Sequence, residues 1–386
     1  MKHRYLASLL LLAAATQLTA NAESFSLKTS LPTGSSLKIN LDRGLNVTFK
    51  WGNGITHSEF SAGMPITVEV VDESLTVTTD GNITQLYVND NALEELTVSN
   101  LTKLLVLDCN DNRLGSLNLS RQTALKTLWC ARNVLTTLDL SKLSDLEKLN
   151  ASYNALTELH LGTASLTDLW VEGNALAEKL DLSKQEQLCC IAADHNELTK
   201  IDLSSTTTAK KALKYFYAND NALFYNSLPT VYDKSKQEYL ITSVVAPQRP
   251  YYYNYGLLTH TQHDLSDLIR YNAWGVAITP TLTLTDTETG KTLVQDEDFT
   301  KSGNYKFTFL TEHRYVTATV ESPMYPEMAL TTKPFAILND LTGLQPMNTD
   351  EQHTTTPAYD LQGRSINDVE NYRGIFVKDG KKNVRP

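Results

Sequence analysis

The sequence predicts a repeat solenoid, in which short strands stack into one curved parallel sheet between two β-rich domains. The first observation is an asparagine that returns every 20 to 25 residues through the middle of the chain. The second is a set of leucine-type residues at fixed offsets from each asparagine. The third is the alternation of apolar and polar residues on both sides of the repeats, which is typical of strands. Self-similarity at such a period indicates a stacked array of small units.

The chain opens with a segment that has the features of a signal peptide. Lys2 and Arg4 precede an apolar run over 6–15, and Ala20-Asn21-Ala22 has the small-x-small pattern of a cleavage site. We therefore predict that residues 1–22 are removed after Ala22 and that the protein is exported. A short membrane anchor is the alternative, but the apolar run is too short to span a bilayer. No other segment is apolar enough to form a transmembrane helix.

Length, charge and cysteine usage narrow the class of protein. The 386 residues allow two or three domains. The formal net charge is −10 and no block of lysine or arginine interrupts it, so we expect no nucleic-acid partner. Cys109 and Cys130 occupy equivalent places one repeat apart, and Cys189 and Cys190 are adjacent. This spacing favours free, mostly buried thiols over a disulfide framework.

Residues 23–80 are predicted to form an N-terminal β-rich cap domain. Apolar and polar residues alternate around Leu37, Val47 and Ile66, and Trp51-Gly52-Asn53-Gly54 indicates a turn. Such a domain would cover the first repeat, whose leucines would otherwise face water.

Residues 81–228 contain seven repeats with the consensus LxxLxCxxNxLxxLxLSxxxx. A lone repeat cannot bury its leucines, whereas stacked repeats bury them against their neighbours. Each asparagine is expected to turn the chain out of its strand and to bond backbone groups of the adjacent coil that lack strand partners. This structural ladder comprises Asn91, Asn112, Asn133, Asn154, Asn174, Asn196 and Asn221.

The repeat pattern resembles the leucine-rich repeat, and the layout of the chain resembles internalin-like exported proteins. The segment before the repeats is similar to the small β-domain that precedes leucine-rich repeats in exported proteins of Bacteroidetes. The resemblance implies one short strand per repeat and a parallel sheet with an open face. It also implies that the protein works by binding.

Residues that flank the buried leucines are predicted to face outward from this sheet. Trp129, Tyr153 and Trp170 are expected to cluster near its middle, with charged residues at the rim. Aromatic anchors inside a polar rim are typical of binding surfaces. The alternative is that the rings stack on neighbouring strands and only stiffen the sheet. The candidate ligand-binding residues are Tyr87, Trp129, Arg132, Tyr153, Trp170, Glu172, Asp194 and Tyr217.

Residues 229–337 are predicted to form an immunoglobulin-like β-domain, a sandwich of two sheets. Strands are indicated over 239–245, 276–285, 305–309 and 315–320. Tyrosines 251, 252, 253 and 255 follow Pro250. They form either a second contact patch or a packing contact between this domain and the last repeat.

After a polar linker, 338–356, the tail 357–386 is predicted to form a β-hairpin around Asp379-Gly380. The runs Tyr359–Arg364 and Gly374–Val377 are similar to the C-terminal segments of many exported Bacteroidetes proteins, including the sorting domains read by type IX secretion. The tail is therefore either a sorting or attachment signal for secretion machinery or a plain terminal hairpin.

Motifs for catalysis are absent from the sequence, since neither GxSxG nor a phosphate loop occurs. His260, His263 and Asp264 have loose metal-ligand spacing, but Asp264 is more simply a turn cap. Cys190 and His195 share one repeat without the signature of a nucleophile. We predict no enzyme, no metal site and no cofactor.

The sequence therefore predicts an exported leucine-rich-repeat binding protein. It would be a surface adhesin that recognises a host protein, a glycan or another bacterial surface on the open sheet face. The competing hypothesis is a structural envelope or biofilm matrix protein without a specific ligand.

Overall fold

The structure, a computed structural model, describes most of the chain. The described residues are 22–42, 45–59, 65–203, 213–229, 232–233, 238–239, 242–246, 248, 257–264, 266, 277–325, 328–338, 358–360, 365–366, 374–378 and 381–385. The predicted signal peptide, apart from Ala22, lies outside them, as do most of the predicted linker and the tyrosines at 251–255. The chain divides into two compact units. They are Met1–Asn221 with Leu240–Val245, and Ala222–Tyr239 with Ala246–Pro386.

The first unit begins with antiparallel strands that alternate buried and exposed residues, so that Phe25 and Leu27 are buried in the first of them. This alternation places one face of each strand in a core. The strands are β1 (Ala22–Thr29), β2 (Ser36–Leu41), β3 (Leu45–Trp51), β4 (Thr56–Glu59), β5 (Ile66–Glu69) and β6 (Ser74–Asp80).

The repeats then contribute one three-residue strand per coil to a parallel sheet, and several coils add a second short strand on the opposite side. The strands are β7 (Gln85–Tyr87), β8 (Leu93–Thr97), β9 (Val106–Asp108), β10 (Thr127–Trp129), β11 (Thr137–Asp139), β12 (Lys148–Asn150), β13 (Glu158–His160), β14 (Asp168–Trp170), β15 (Ala177–Asp181), β16 (Cys190–Ala192), β17 (Glu197–Asp202) and β18 (Tyr215–Tyr217).

The remaining strands follow a 3-10 turn at Tyr225–Ser227. They are β19 (Tyr232–Asp233), β20 (Glu238–Tyr239), β21 (Thr242–Val244), β22 (Leu257–Leu258), β23 (Gln262–Asp264), β24 (Thr281–Asp286), β25 (Phe299–Ser302), β26 (Lys306–Phe309), β27 (His313–Glu321), β28 (Ala329–Thr331), β29 (Phe335–Leu338), β30 (Ala358–Asp360), β31 (Ser365–Ile366), β32 (Gly374–Lys378) and β33 (Lys381–Arg385).

The solenoid is held together by a ten-stranded sheet in the order β21-β18-β16-β14-β12-β10-β9-β7-β2-β5. The strands from β7 to β21 run parallel. Thr242–Val244 pairs with Tyr215–Tyr217, so the parallel sheet continues past residue 228, where the sequence analysis placed its end. The central leucine of each strand is fully buried, as at Leu107, Leu128 and Leu149. Stacked coils thus bury the apolar rows that a single coil would expose.

The asparagines form a hydrogen-bonded ladder through this core. Asn133 is representative: its Oδ1 accepts from the Leu114 N–H at 2.9 Å, and its Nδ2 donates to the carbonyls of Cys109 and Cys130. One side chain therefore pairs three backbone groups on two coils. Equivalent bonds are made by Asn112, Asn154, Asn174, Asn196 and Asn221.

The first rung of the ladder connects to the N-terminal strands. Asn91 accepts from the Lys38 N–H and donates to the Lys38 carbonyl. Strand β2 pairs antiparallel with β7, and β1 pairs antiparallel with β8. Both edges of the first coil therefore have backbone partners from residues 22–41.

The second unit contains two sheets that share a core. A five-stranded sheet contains β22, β29, β27, β24 and β28, and a three-stranded sheet has the order β23-β26-β25. Leu284, Phe307 and Val316 belong to the cluster of buried residues between them. Farther along the chain, a four-stranded sheet has the order β31-β30-β32-β33. Its strands β32 and β33 pair antiparallel across residues 379–380, where the sequence predicts a hairpin.

Candidate functional site

The open face of the parallel sheet carries the aromatic residues that the sequence singled out. Strand register aligns one outward residue from each coil into a single line, which we call the central row. The central row consists of Tyr87, Asp108, Trp129, Asn150, Trp170, Ala192 and Tyr217. Every second member is aromatic, and the members between them are smaller. The aromatic side chains are half-buried.

Trp129 and Trp170 lie on alternate strands of the central row. Asn150 lies between the two tryptophans in the register, on its own strand. Since neighbouring strands lie about 4.8 Å apart, the two tryptophans are about 9.6 Å apart along the row. Tyr153 lies outside the strands, three residues beyond Asn150. The backbone positions of the two tryptophans are therefore spaced along the row, and Tyr153 follows the strand between them.

Tyr153 belongs to a second line of residues, the turn row, which follows the strands. Its members all have positive φ, from 53° to 65°, because the chain turns sharply there. L-residues adopt this conformation at a cost, so the repeated turn is imposed by the packing of the coils. The turn row consists of Asp90, Asp111, Arg132, Tyr153, Gly173, His195 and Asp220.

Contacts run along the turn row from coil to coil. The Arg132 Nε lies 3.7 Å from an Asp111 carboxylate oxygen, and the Arg132 guanidinium lies 4.9 Å from the centre of the Tyr153 ring. A Cβ added to Gly173 would approach the Tyr153 Cδ1 to 2.6 Å, so the ring packs directly on the glycine. Tyr153 nevertheless remains half exposed, at 50%. The ring therefore contacts both neighbouring coils while half of the side chain stays exposed.

Toward the end of the repeats, His195 bridges two carboxylates. Its Nδ1 lies 2.7 Å from Asp194 and its Nε2 lies 3.1 Å from Asp220. The imidazole is exposed, so these contacts are accessible to solvent. Cys190, in the same repeat, is buried.

Trp170 lies on the strand next to that of Cys190, and its side chain is within reach of the Cys190 thiol. Burial raises the pKa of the Cys190 thiol to about 11. The neutral thiol is therefore the dominant form at neutral pH, which does not favour a nucleophilic role. Cys109, Cys130, Cys189 and Cys190 are all free, as predicted.

The open face is acidic. On the strand positions that face outward and the turn positions that follow, seven carboxylates accompany two cations. The carboxylates are Asp90, Asp108, Asp111, Asp168, Glu172, Asp194 and Asp220, and the cations are Arg132 and Lys148. Lys148 lies 3.8 Å from Asp168, and Arg132 lies beside Asp111, so both cations already have acidic neighbours. The remaining negative charge is available to a cationic ligand.

Asp108 has an unusual position in the central row. It lies between Tyr87 and Trp129 on the adjacent strands and accepts a hydrogen bond from the Asn110 N–H. Burial raises the pKa of its carboxyl group, and nearby Asp111 adds to the effect. Sequence analysis missed Asp108 and Asp168, although the alternation of aromatic and small residues in the central row was already present in the aligned repeats.

Two polar atoms near the tryptophans have no hydrogen-bond partner in the described part of the chain. They are the Glu172 Oε2 and the Ser152 Oγ, and both atoms are buried. Buried polar atoms are normally hydrogen-bonded, so each of these unpaired atoms lowers the stability of the folded protein. Glu172 follows Trp170 by two residues, and Ser152 occupies the equivalent position on the preceding coil.

Residues outside the sheet that the sequence marked as possible metal ligands have other contacts. Asp264 accepts from the Ser266 N–H at 2.9 Å, which is the turn-capping arrangement, and lies 3.5 Å from Lys306. The His263 ring packs against Phe309. Within the described ranges, no three His, Cys, Asp or Glu residues are placed to hold one metal ion. No helix in those ranges has the length and apolar character needed to span a membrane.

Comparison with known proteins gives likenesses of structure only. No protein-family model matches the chain, and no curated protein matches it significantly. Solved structures similar to it include Listeria monocytogenes InlP, with 16% identity over 62% of this chain and 67% of that chain and a TM-score of 0.34. The secreted internalin-like protein Lmo2445 from the same organism has 17% identity over 61% and 76%, and a TM-score of 0.34.

The leucine-rich-repeat domain of APL1B has 21% identity over 37% of this chain, with a TM-score of 0.28. The match spans 39% of that domain, well under two thirds of its length. These neighbours are leucine-rich-repeat proteins, two of them internalin-type. Identities and TM-scores this low assign neither a family nor a ligand to this chain.

Proposed function

We propose that this protein is an exported binding protein without catalytic activity, which recognises a protein ligand on the open face of its parallel sheet. The observation that carries the proposal is the central row, where half-buried aromatic side chains lie on an acidic, open sheet face. Aromatic anchors near the centre of a surface and charges around them are typical of protein interfaces. The carboxylates favour a cationic partner.

The surface role that we propose is adhesion, with a host protein or another bacterial surface as the partner. A glycan remains the alternative class of ligand for the same face. Export is supported by the N-terminal sequence, and cleavage after Ala22 would leave Glu23 inside β1, where its carboxylate accepts from the Ile83 N–H. Mass spectrometry of protein from the culture medium would test the cleavage site.

The flanking segments are proposed to support this surface. Residues 23–80 would cap the first coil, because β1 and β2 pair with both of its strands. Residues 229–337 would form an immunoglobulin-like sandwich, which the two sheets around Phe307 and Val316 favour. The tail would act as a sorting or attachment signal for secretion machinery, and a plain hairpin is the alternative.

A binding role and a purely structural role predict different results for the same variant. The chain from Glu23 onward would be probed against an array of extracellular-matrix proteins and glycans, together with a Trp129→Ala/Trp170→Ala variant. Recognition predicts that the variant loses a ligand and keeps its melting temperature within a few degrees. A structural role predicts no ligand, or one bound equally by both proteins, and a melting temperature lowered by the loss of ring packing.

A further inference from the structure

The spacing of the aromatic residues specifies the kind of ligand more closely. Tyr87, Trp129, Trp170 and Tyr217 occur on every second strand, so the strand positions that carry the rings recur about every 9.6 Å. The gaps between them lie over Asp108, Asn150 and Ala192, whose side chains are smaller than the rings. A ligand with the same axial period would place one side chain in each gap.

A polyproline II helix has this period. It has three residues per turn and rises about 3.1 Å per residue, which gives about 9.3 Å per turn. Over the three steps from Tyr87 to Tyr217, the mismatch with the row amounts to about 1 Å. An α-helix returns to one face after seven residues, about 10.5 Å, and accumulates a mismatch of about 3 Å. An extended strand returns after two residues, about 6.8 Å, and does not match.

We propose that the central row binds a polyproline II segment of a partner protein, with prolines in the gaps over Asp108, Asn150 and Ala192 and a lysine or arginine of that segment on the neighbouring carboxylates. This inference rests on the proposed protein-binding function and adds the class of ligand. Proline-rich segments of this conformation dock between aromatic side chains, because they lose little conformational entropy on binding.

Polar groups on the face complement such a ligand. A polyproline II helix has no internal hydrogen bonds, so its carbonyls accept from the protein. The half-buried Trp129 side chain carries an indole N–H, which is a donor for such a carbonyl. Glu172 has a carboxylate oxygen without a donor beside Trp170. A guanidinium at this rim would complement the negative charge of the half-buried Glu172 carboxylate.

The excess of carboxylates distinguishes this ligand from a neutral glycan. An uncharged β-1,4-linked chain could also stack on rings that recur at every second strand, since alternate sugars present the same face. Its hydroxyls could donate to Asp108, Asp168 or Glu172, but a neutral chain would leave their negative charge uncompensated. A proline-rich segment with a basic residue uses both the period and the charge, and the structure favours it for that reason.

The test uses the chain from Glu23 onward and a synthetic peptide of about nine prolines, one row in length, with an arginine at each end. Isothermal titration calorimetry would measure Kd. We expect binding that weakens at least tenfold when glutamate replaces the arginines, and as much when glycine replaces alternate prolines. Asn150→Trp would fill the middle gap and weaken binding at least tenfold, although it adds aromatic surface.

Matched variants keep the result interpretable. Val134→Trp adds the same ring at an exposed position outside the central row, and its affinity should equal that of the unmodified protein. Trp129→Ala removes the ring between two gaps and should also weaken binding at least tenfold. This variant tests the inference if Asn150→Trp does not fold. Circular dichroism melting of each variant would establish that it is folded.

Three outcomes would overturn the inference: no peptide binding at millimolar concentration, equal binding by Asn150→Trp, or equal binding by the glutamate peptide. If the protein bound a neutral β-1,4-linked hexasaccharide and not the peptide, the ligand of this face would be a glycan and not a protein. Binding of a folded cationic protein such as cytochrome c, lost in Trp129→Ala, without peptide binding would overturn only this inference. The proposed protein-binding function would then stand.

Discussion

The ring of Tyr153 packs on the backbone of Gly173 in the next coil, so closely that a Cβ on the glycine would come within 2.6 Å of the ring. Gly173 also has a φ of +65°, in the left-handed region. Two separate constraints therefore favour glycine at this position, one from the backbone and one from a neighbouring side chain.

Gly173→Ala is expected to destabilise the protein by about 1–2 kcal/mol, because the left-handed conformation is costly with a Cβ and Tyr153 must move. Urea unfolding would measure the loss. Gly115→Ala is the matched control, since a Cβ there meets no atom within 4 Å and φ is not in the left-handed region. Equal stability of both variants would contradict the packing argument.

Asn133→Ala removes an amide that pairs three buried backbone groups. The Leu114 N–H would lose its partner, and an unpaired buried group costs about 1–3 kcal/mol. The Cys109 carbonyl would lose one of two donors and keep its bond from Asn112. We expect a loss of about 2 kcal/mol in urea unfolding. Asn118→Ala changes the same residue type at an exposed site, where Asn118 accepts only from Ser120, and should cost less than about 1 kcal/mol. Similar losses would show that the ladder is not the stabilising feature.

Asp108→Asn is expected to stabilise the protein at neutral pH while weakening the binding of a cationic ligand. Since burial raises the pKa of Asp108, the folded state binds the proton more tightly than the unfolded state does. Stability therefore falls as the pH rises from the unfolded pKa of about 3.9 through the raised folded value. Asparagine keeps the acceptor for the Asn110 N–H without the charge.

The difference between Asp108→Asn and the unmodified protein should be largest at pH 7 and small near pH 3. Chemical unfolding at the two pH values would measure it. If Asp108→Asn were less stable than the unmodified protein at pH 7, burial of the charged Asp108 carboxylate would not be destabilising.

In the second unit, Asp286→Asn is expected to lower stability at pH 7 by about 1.5–3 kcal/mol, the value of a hydrogen bond to a charged group. His313 Nδ1 lies 3.0 Å from Asp286, and this contact, with the Thr289 N–H, lowers the pKa of Asp286 to about 2. Because the pKa of Asp286 in the folded state lies below the unfolded value of about 3.9, the ionised carboxylate stabilises the fold above about pH 3.9. This stabilisation is lost as the pH falls toward about 2.

The effect of Asp286→Asn should therefore shrink between pH 4 and about pH 2. Unfolding of the second unit, followed by near-ultraviolet circular dichroism, would measure it. Asp296→Asn changes an exposed carboxylate in the nearby loop and should alter stability by less than about 0.5 kcal/mol. A pH-independent loss in Asp286→Asn would indicate a role that does not depend on its charge.

The repeats could be predicted in detail because their signal is redundant. A leucine such as Leu107 is buried at every coil, and an asparagine such as Asn133 bonds the same relative backbone atoms at every coil. Gln248 was not predicted as a rung, yet its Oε1 accepts from the Leu223 N–H after the last asparagine. The repeat had drifted there, and an amide on a longer side chain reached the equivalent backbone group.

The sequence by itself determined the period, the buried rows and the set of outward residues, because each depends on local spacing in a stacked array. Only the tertiary structure decided how the outward residues meet. It placed the Tyr153 ring on Gly173, buried Cys190 and set His195 between Asp194 and Asp220. Side-chain direction, turn conformation and contacts between coils set these relationships, and they depend on residues about 20 positions apart.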